Sequence, residues 1–239
     1  MKKVAITGAN GTIGTMLRRG LTDYEITPID LPEIDVTNYK NLLRVFPGHA
    51  AVVHLAWDGR ENFRSDIIVQ ENKTMLEKVY QAAFETGVPK VIMASSIHAA
   101  DVDWNREPYL STAEGEREIM PSLIISTDQV SPDKPYGATK AYMEALGRQW
   151  AKRGLFVVCI RFGGVNPEDA KIKQGEPRYA RDWLSHRDCV TLIKHIIEID
   201  QNKLEDNYHQ LYGISNNSGR IYSMENKLGW TPKDNSANR

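Results

Sequence analysis

The sequence predicts an α/β chain built on a doubly wound parallel sheet, a Rossmann-type fold. Short β-type runs alternate with longer helical stretches, the βαβα order that such sheets require. The run Leu155 to Ile160 is apolar throughout, as in strands covered by helices on both faces. A glycine-rich turn, Gly8 to Gly14, stands directly between the first strand-like run and the first helical one.

In chain order, Lys3 to Thr7 reads as a strand that stops at Gly8, and Thr12 to Leu21 as a helix. Glu25 to Ile29 is the second strand, followed by a short helix over Tyr39 to Phe46. Ala51 to Leu55 is the third strand. Asn62 to Thr86 carries a long helical pattern closed by Gly87 and Pro89. Lys90 to Ala94 is the fourth strand, with Ser95-Ser96 after it, and Tyr136 to Arg153 is a helix ending at Gly154. Leu155 to Ile160 is the fifth strand. Asp188 to Ile199 is helical, with Val190, Ile193 and Ile197 on one face. Tyr208 to Tyr212 reads as a last strand and Ser223 to Leu228 as a last short helix. Asp101 to Lys134 and residues 163 to 186 read as loops, and the polar tail Thr231 to Arg239 as frayed.

The 239 residues are 41% hydrophobic and 26% charged, an ordinary globular balance with room for a real core. Thirty basic against thirty-one acidic residues give a net charge of −1, which argues against a nucleic-acid binder and against electrostatic attachment to a membrane. No apolar run approaches the ~20 residues of a transmembrane helix, and Val4-Ala5-Ile6 is too short for a signal peptide. Cys159 and Cys189 read as buried thiols in a reducing compartment, which points to the cytoplasm. The six histidines form no HxxxH or HxxEH pattern and there is no CxxC, so no metal site is expected.

Chemistry-bearing residues follow the strand ends. In the GxxGxxG turn, Gly8 allows the tight turn, Gly11 lets backbone approach a pyrophosphate, and Gly14 lets the helix pack on the sheet. The helix then presents free N–H groups to phosphate. Asp30, twenty-two residues after Gly8, is placed to bond ribose hydroxyls and to repel a 2′-phosphate. With no Lys or Arg between Leu31 and Thr37, the expected cofactor is NAD rather than NADP; Arg18 and Arg19 read as a solvated helix face. Tyr136 and Lys140 lie at i,i+4 on one helix face, and of ten tyrosines only Tyr136 has a lysine four residues on. A neighbouring ammonium, together with the positive nicotinamide of NAD⁺, favours the phenolate, so the pair reads as a general base with its activator, and the same lysine can hold the ribose hydroxyls. Ser96, at the carboxyl end of the fourth strand, is placed to hold the reacting hydroxyl.

These motifs resemble the extended short-chain dehydrogenase/reductases, the NAD-dependent epimerase/dehydratase family. The resemblance rests on TGANGTIG at 7–14, Asp30, Asp35-Val36, His54-Leu55-Ala56, Asn72, Ser96 and the Tyr136/Lys140 pair. It implies NAD contacts from Gly8, Asn10, Gly11, Thr12, Ile13, Gly14 and Asp30. Asp35 and Val36 would meet the adenine, and Leu55, Ala56, Asn72, Tyr136 and Lys140 complete the cofactor set. MASSIHAA at 93–100, YGATK at 136–140, IRFGGVNPEDA at 160–170 and ARDWLSHRDCV at 180–190 are most similar to the uronate dehydrogenase branch. That branch implies oxidation of C1 of a hexuronate, or a related acidic or phosphorylated sugar, to its lactone. The catalytic set would be Ser96, Tyr136 and Lys140, and the substrate contacts Ser96, His98, Tyr136 and Arg178.

The resemblance also implies an NAD-binding domain over 1–162, with an insertion near 101–122, and a small substrate-binding region over 163–239 in the same compact unit. It implies a homodimer paired through the helices at 62–86 and 136–153. Two other readings share these motifs. One is a nucleotide-sugar 4-epimerase or dehydratase that keeps its cofactor bound. The other is a non-enzymatic NAD-binding regulator, a class that typically loses the tyrosine or the lysine.

Overall fold

The computed structural model describes residues 1–60, 66–102, 107, 109, 123–171 and 179–237. Six strands form one parallel sheet in the order β2-β1-β3-β4-β5-β6: β1 (Lys3–Thr7), β2 (Glu25–Ile29), β3 (Ala51–His54), β4 (Lys90–Ser96), β5 (Phe156–Phe162) and β6 (Tyr208–Gly213). The chain leaves β1 towards β2 and returns to β3 on the other side of β1. The reversal opens a crevice between β1 and β3 at their carboxyl ends, the place where such sheets bind ligands.

Helices cover both faces. α1 (Thr12–Gly20) and α6 (His186–Glu198) pack on one face through Met16, Leu17, Leu192, Ile193 and Ile196. α2 (Tyr39–Val45), α3 (Asp66–Glu85) and α4 (Pro135–Lys152) cover the other through Leu42, Leu76, Val79, Tyr80 and Met143. Buried Met75, Leu76, Val79, Tyr80 and Ala83 keep the three-and-four spacing of an amphipathic helix. A third cluster of Ala100, Ile125, Tyr212, Ile214, Ile221 and Tyr222 includes the end of β6 and the chain that follows it. Among the described residues no helix is long and apolar enough to cross a membrane. Cys159 and Cys189 are buried free thiols.

Four expectations are corrected. Ser95 and Ser96 are the last residues of β4 rather than residues after it. The 163–186 stretch contains a helical turn, α5 (Tyr179–Asp182). Ser223 to Leu228 is no helix, because Tyr222 bridges in parallel to Ile125. Ile125 donates its N–H to Ile221 at 2.7 Å and accepts from Ser223 at 3.0 Å, which holds the backbone extended there. The tail is not frayed through 237. The N–H groups of Lys233 and Asp234 donate to the buried Asp188 carboxylate at 2.8 and 2.9 Å, Ser185 Oγ donates to Asp234 at 2.5 Å, and Ser236 N donates to Asn217 at 3.0 Å. A polar tail is anchored by polar partners, a docking that hydrophobic patterning does not register. The proposed insertion near 101–122 falls mostly outside the described residues.

One ion pair sits under the sheet's carboxyl end. Arg161 on β5 is fully buried and forks onto Glu144 of α4 through Nε and NH2, each at 2.8 Å. Its NH1 donates to Gln129 O at 2.8 Å and to Tyr212 Oη at 3.0 Å, while Ser95 Oγ donates to Glu144 at 2.6 Å. Arg161 is held above its ordinary range: burial opposes the charge, and Glu144 outweighs it. Removing one member of such a pair leaves an uncompensated buried charge, at about 3–5 kcal/mol. Glu144→Gln is therefore expected to lower unfolding free energy by about that amount in urea titrations. A loss under about 1 kcal/mol would show that the pair carries little of the stability, as for an exposed pair.

Candidate active site

The crevice is built from the strand ends. Gly8 has φ +65° and its N–H donates to Ile29 O at 3.0 Å. A Cβ on Gly8 would lie 2.6 Å from Ala56 N, and one on Gly14 would lie 2.4 Å from Gly8 O, so both glycines are required by close approach. Gly11 caps α1 with no side-chain hydrogen bond, leaving the first-turn N–H groups of Thr12 and Ile13 presented at the crevice. No acidic side chain occupies that first turn. Asp30 faces the same loop, its Oδ2 accepting from Asn10 N at 2.8 Å and its Oδ1 from Leu31 N at 2.9 Å. Arg18 is exposed, as expected, but donates to Asn10 Oδ1 at 3.0 Å and so braces the loop. Asp35 closes a turn on Thr37, accepting from its N and Oγ1 at 2.8 and 2.7 Å, with Val36 packed on the α2–α3 core.

Across the crevice, Thr7 Oγ1 accepts from Leu55 N and Ala56 N at 3.2 and 3.3 Å. Its hydroxyl hydrogen is left for His54 Nδ1 at 2.7 Å, which places the imidazole hydrogen on Nε2. Burial first, and Lys140 second, push His54 down to about 3, so this ring stays neutral. Asn72 is buried and clamps the chain after β3: its Nδ2 donates to Asp58 O and its Oδ1 accepts from Asp58 N, both at 2.9 Å. Asn72, expected as a cofactor contact, is seen to shape the Leu55–Asp58 wall. A cleft of about 660 Å³, lined by Asn10, Gly11, Thr12, Arg19, His186 and Arg187 among others, adjoins the start of α1. It does not reach Ser96, Tyr136 or Lys140.

Tyr136 and Lys140 come to the crevice on α4, which starts at Pro135. Its approach to the 3-10 turn Ile97–Ala100 after β4 depends on Gly137, where a Cβ would lie 2.1 Å from His98 O. Ser96 begins that turn, its Oγ accepting from His98 N at 3.2 Å, and it also hydrogen-bonds Tyr136. His98 packs edge-on to Tyr136 with ring centroids 5.8 Å apart, and Trp57 does so from another side at 5.5 Å. Ser96, His98, Tyr136 and Lys140 therefore converge as the sequence predicts. Arg178 lies outside the described residues.

In the chain by itself, burial dominates the electrostatics of the Tyr136/Lys140 pair. Lys140 is buried, donates to Ala94 O at 2.7 Å, and sits 3.7 Å from the centroid of the Trp57 ring. Burial pushes it down to about 7, with Cys159 and Glu144 opposing that shift. Tyr136 is pushed up by burial, and the Ser96 hydrogen bond only partly offsets this. Desolvation wins over the helical pairing, so in the chain by itself the phenol is the favoured form. Sequence reading also missed Glu144 and Arg161. A second i,i+4 step from Lys140 to Glu144, and an arginine between the apolar run Leu155 to Ile160 and Phe162, were the available signals.

The fit of the crevice to a dinucleotide is direct: an uncapped helix start, two glycines with no room for Cβ, an aspartate on the glycine loop, and a desolvated lysine beside a tyrosine. A family model for the NAD dependent epimerase/dehydratase family matches residues 4–209. The chain belongs to that family. This NAD-dependent enzyme is 31% identical to an NAD-dependent glucose-6-phosphate dehydrogenase of Haloferax volcanii, covering 98% of this chain and 94% of the relative. It is 30% identical to an L-arabinose 1-dehydrogenase (NAD(P)(+)) of the same organism, over 99% and 98%. The crystal structure of uronate dehydrogenase from Agrobacterium tumefaciens superposes with a TM-score of 0.75 at 24% identity, covering 99% of this chain and 86% of that one. It shows the same fold.

A buried lysine gives a signed pH test. Lys140 titrates near 7 when folded, below its ordinary 10.5, so the folded state binds fewer protons between those values. The destabilisation is full below pH 7 and is relieved as pH rises towards 10.5. Lys140→Met is therefore expected to gain stability over wild type most at pH 6 and least at pH 10, read by denaturant midpoints. A gain independent of pH would show that Lys140 is not desolvated.

Proposed function

We propose that this enzyme is an NAD-dependent sugar dehydrogenase that oxidises the anomeric carbon of a hexuronate or related acidic or phosphorylated sugar to its lactone. The observation that carries the reading is the meeting of Ser96, Tyr136 and Lys140 at the crevice of a family NAD fold. The comparison proteins support it, since three different sugar dehydrogenases are similar over nearly the whole chain.

In this reading Ser96 holds the anomeric hydroxyl against Tyr136, which takes its proton as general base. Bound NAD supplies the acceptor for the hydride from C1. Lys140, anchored on Ala94 O, holds the ribose hydroxyls and offers its charge to the phenolate once polar partners offset its burial. The loop after β3, clamped by Asn72, and the uncapped start of α1 orient the cofactor. The small region from 163 to 239 binds the sugar, the location is cytoplasmic, and α3 and α4 form the contact of a homodimer.

Three measurements test this. NADH absorbance is followed with D-glucuronate, D-galacturonate, L-arabinose and glucose 6-phosphate; accumulation with one sugar is the expected result, and none with any of them would overturn the reading. Tyr136→Phe is expected to lower kcat by about 10²–10⁴-fold while NAD still binds, because general acid–base help is worth that much. NAD is expected to outperform NADP in kcat/KM, and Asp30→Ala to narrow the difference. Equal efficiency in wild type would remove Asp30 from that role.

A further inference from the structure

We propose that Asp101 is a positioning residue of this site: it fixes His98 with its hydrogen on Nδ1, so that Nε2 reads a sugar hydroxyl beside the reacting carbon. The inference rests on the sugar-dehydrogenase reading for its ligand, but its geometry is independent of it.

His98 Nδ1 lies 2.8 Å from Asp101 Oδ1. An ionised carboxylate only accepts hydrogen bonds, so Nδ1 must carry the hydrogen. Neutral His98 then presents Nε2 as a bare acceptor, and protonated His98 presents it as a donor. Among the described residues no hydrogen-bond partner is recorded for Nε2. The ring is half exposed and lies edge-on to Tyr136, whereas the Asp101 side chain is only 13% exposed. The pair thus sets a half-exposed ring beside Tyr136 on a largely buried carboxylate.

The support is itself braced. Asp101 O accepts from Ser131 Oγ at 2.9 Å, and Ser131 N donates to Ala99 O at 3.1 Å. The backbone N–H of His98 is tied to Ser96, so the turn that places Ser96 also places His98. Among the described residues, the groups facing the ring are Asp101 at the end of its own turn, Asp133 and Lys134 before α4, and Tyr136 on α4. Asp101 raises His98, burial and Lys134 oppose, and Asp133 adds to the rise. Asp133 is pushed up, first by its neighbour Asp101, while burial of Asp101 is outweighed by His98 and Asp133, which hold its carboxyl below the ordinary range.

The consequence is a site that changes its language with pH. Above the His98 midpoint Nε2 accepts from a hydroxyl donor. Below it Nε2–H suits a carbonyl or carboxylate oxygen and no longer accepts. A sugar carrying a hydroxyl next to its anomeric carbon suits the neutral ring.

The test is a ¹⁵N-resolved NMR titration of the histidine rings in the full chain, with the His98 signal assigned by its loss in His98→Asn. Wild-type His98 is expected to titrate above the ordinary 6.5 and to hold its neutral hydrogen on Nδ1. Asp101→Asn is expected to lower the midpoint and move the neutral hydrogen towards Nε2. A wild-type ring with its hydrogen on Nε2, or a variant unchanged in both respects, would overturn the proposal; the wild-type measurement decides even where the variant fails to fold. With whichever of the four sugars yields NADH, Asp101→Asn is expected to raise KM about three- to tenfold, the worth of one net hydrogen bond, with less change in kcat. The pH dependence of KM should move with the NMR midpoint, and an unmoved KM and pH profile would remove Asp101 from recognition. If no sugar reduces NAD, the dehydrogenase reading fails on its own while the ring spectra still report the tautomer.

Discussion

The structure depends on how Arg161 is kept charged inside the sheet. A guanidinium near the carboxyl end of a buried strand is tolerated only when its donors are met, and Glu144, Gln129 and Tyr212 meet them. Glu144 also accepts from Ser95, so the end of β4, the middle of α4, β5 and β6 are joined by one bidentate pair. Tyr136, Lys140 and Glu144 are successive i,i+4 positions on α4. Locking Glu144 to the sheet therefore sets the height and rotation at which the tyrosine and lysine reach the crevice. Gly137 then allows the first turn of α4 to touch the backbone at His98.

That anchoring has an electrostatic cost at the next turn up. Lys140 is carried into a buried position between Ala94 O and the Trp57 ring, with no carboxylate recorded as a direct partner among the described residues. Its charge is disfavoured, and so is the phenolate of Tyr136. In the proposed reading such a site is completed by its ligands: polar groups brought by a cofactor would return solvation to the ammonium, and the lysine would then favour the phenolate. The same burial keeps His54 neutral, so its bond to Thr7 serves the shape of the Leu55–Ala56 wall rather than charge.

The region after β5 is held by a different kind of contact. Asp188, buried near the start of α6, accepts from Ser215 and from two backbone N–H groups of the tail, and Asp234 in return takes Ser185 and Arg187. Gly164 pairs with Trp183, bringing the chain after β5 back onto itself. These are polar fastenings between segments distant in sequence, so they stiffen the region without adding to any hydrophobic stripe.

The alternation of strands and helices, the all-buried β5, the glycine turn, Asp30 and the i,i+4 spacing of Tyr136 and Lys140 were all legible in the sequence. Each is a local pattern, set by backbone period, by glycine sterics or by distance along one helix. Tertiary structure alone decided the rest. It showed that Asn72 clamps a wall, that the tail is fastened to Asp188, and that Ser223 to Leu228 follows an extended pairing instead of a helix. It also showed that burial lowers Lys140, because the sign of a pKa shift follows from what surrounds a group after folding, and sequence spacing reports the neighbour on the helix but not the water lost around it.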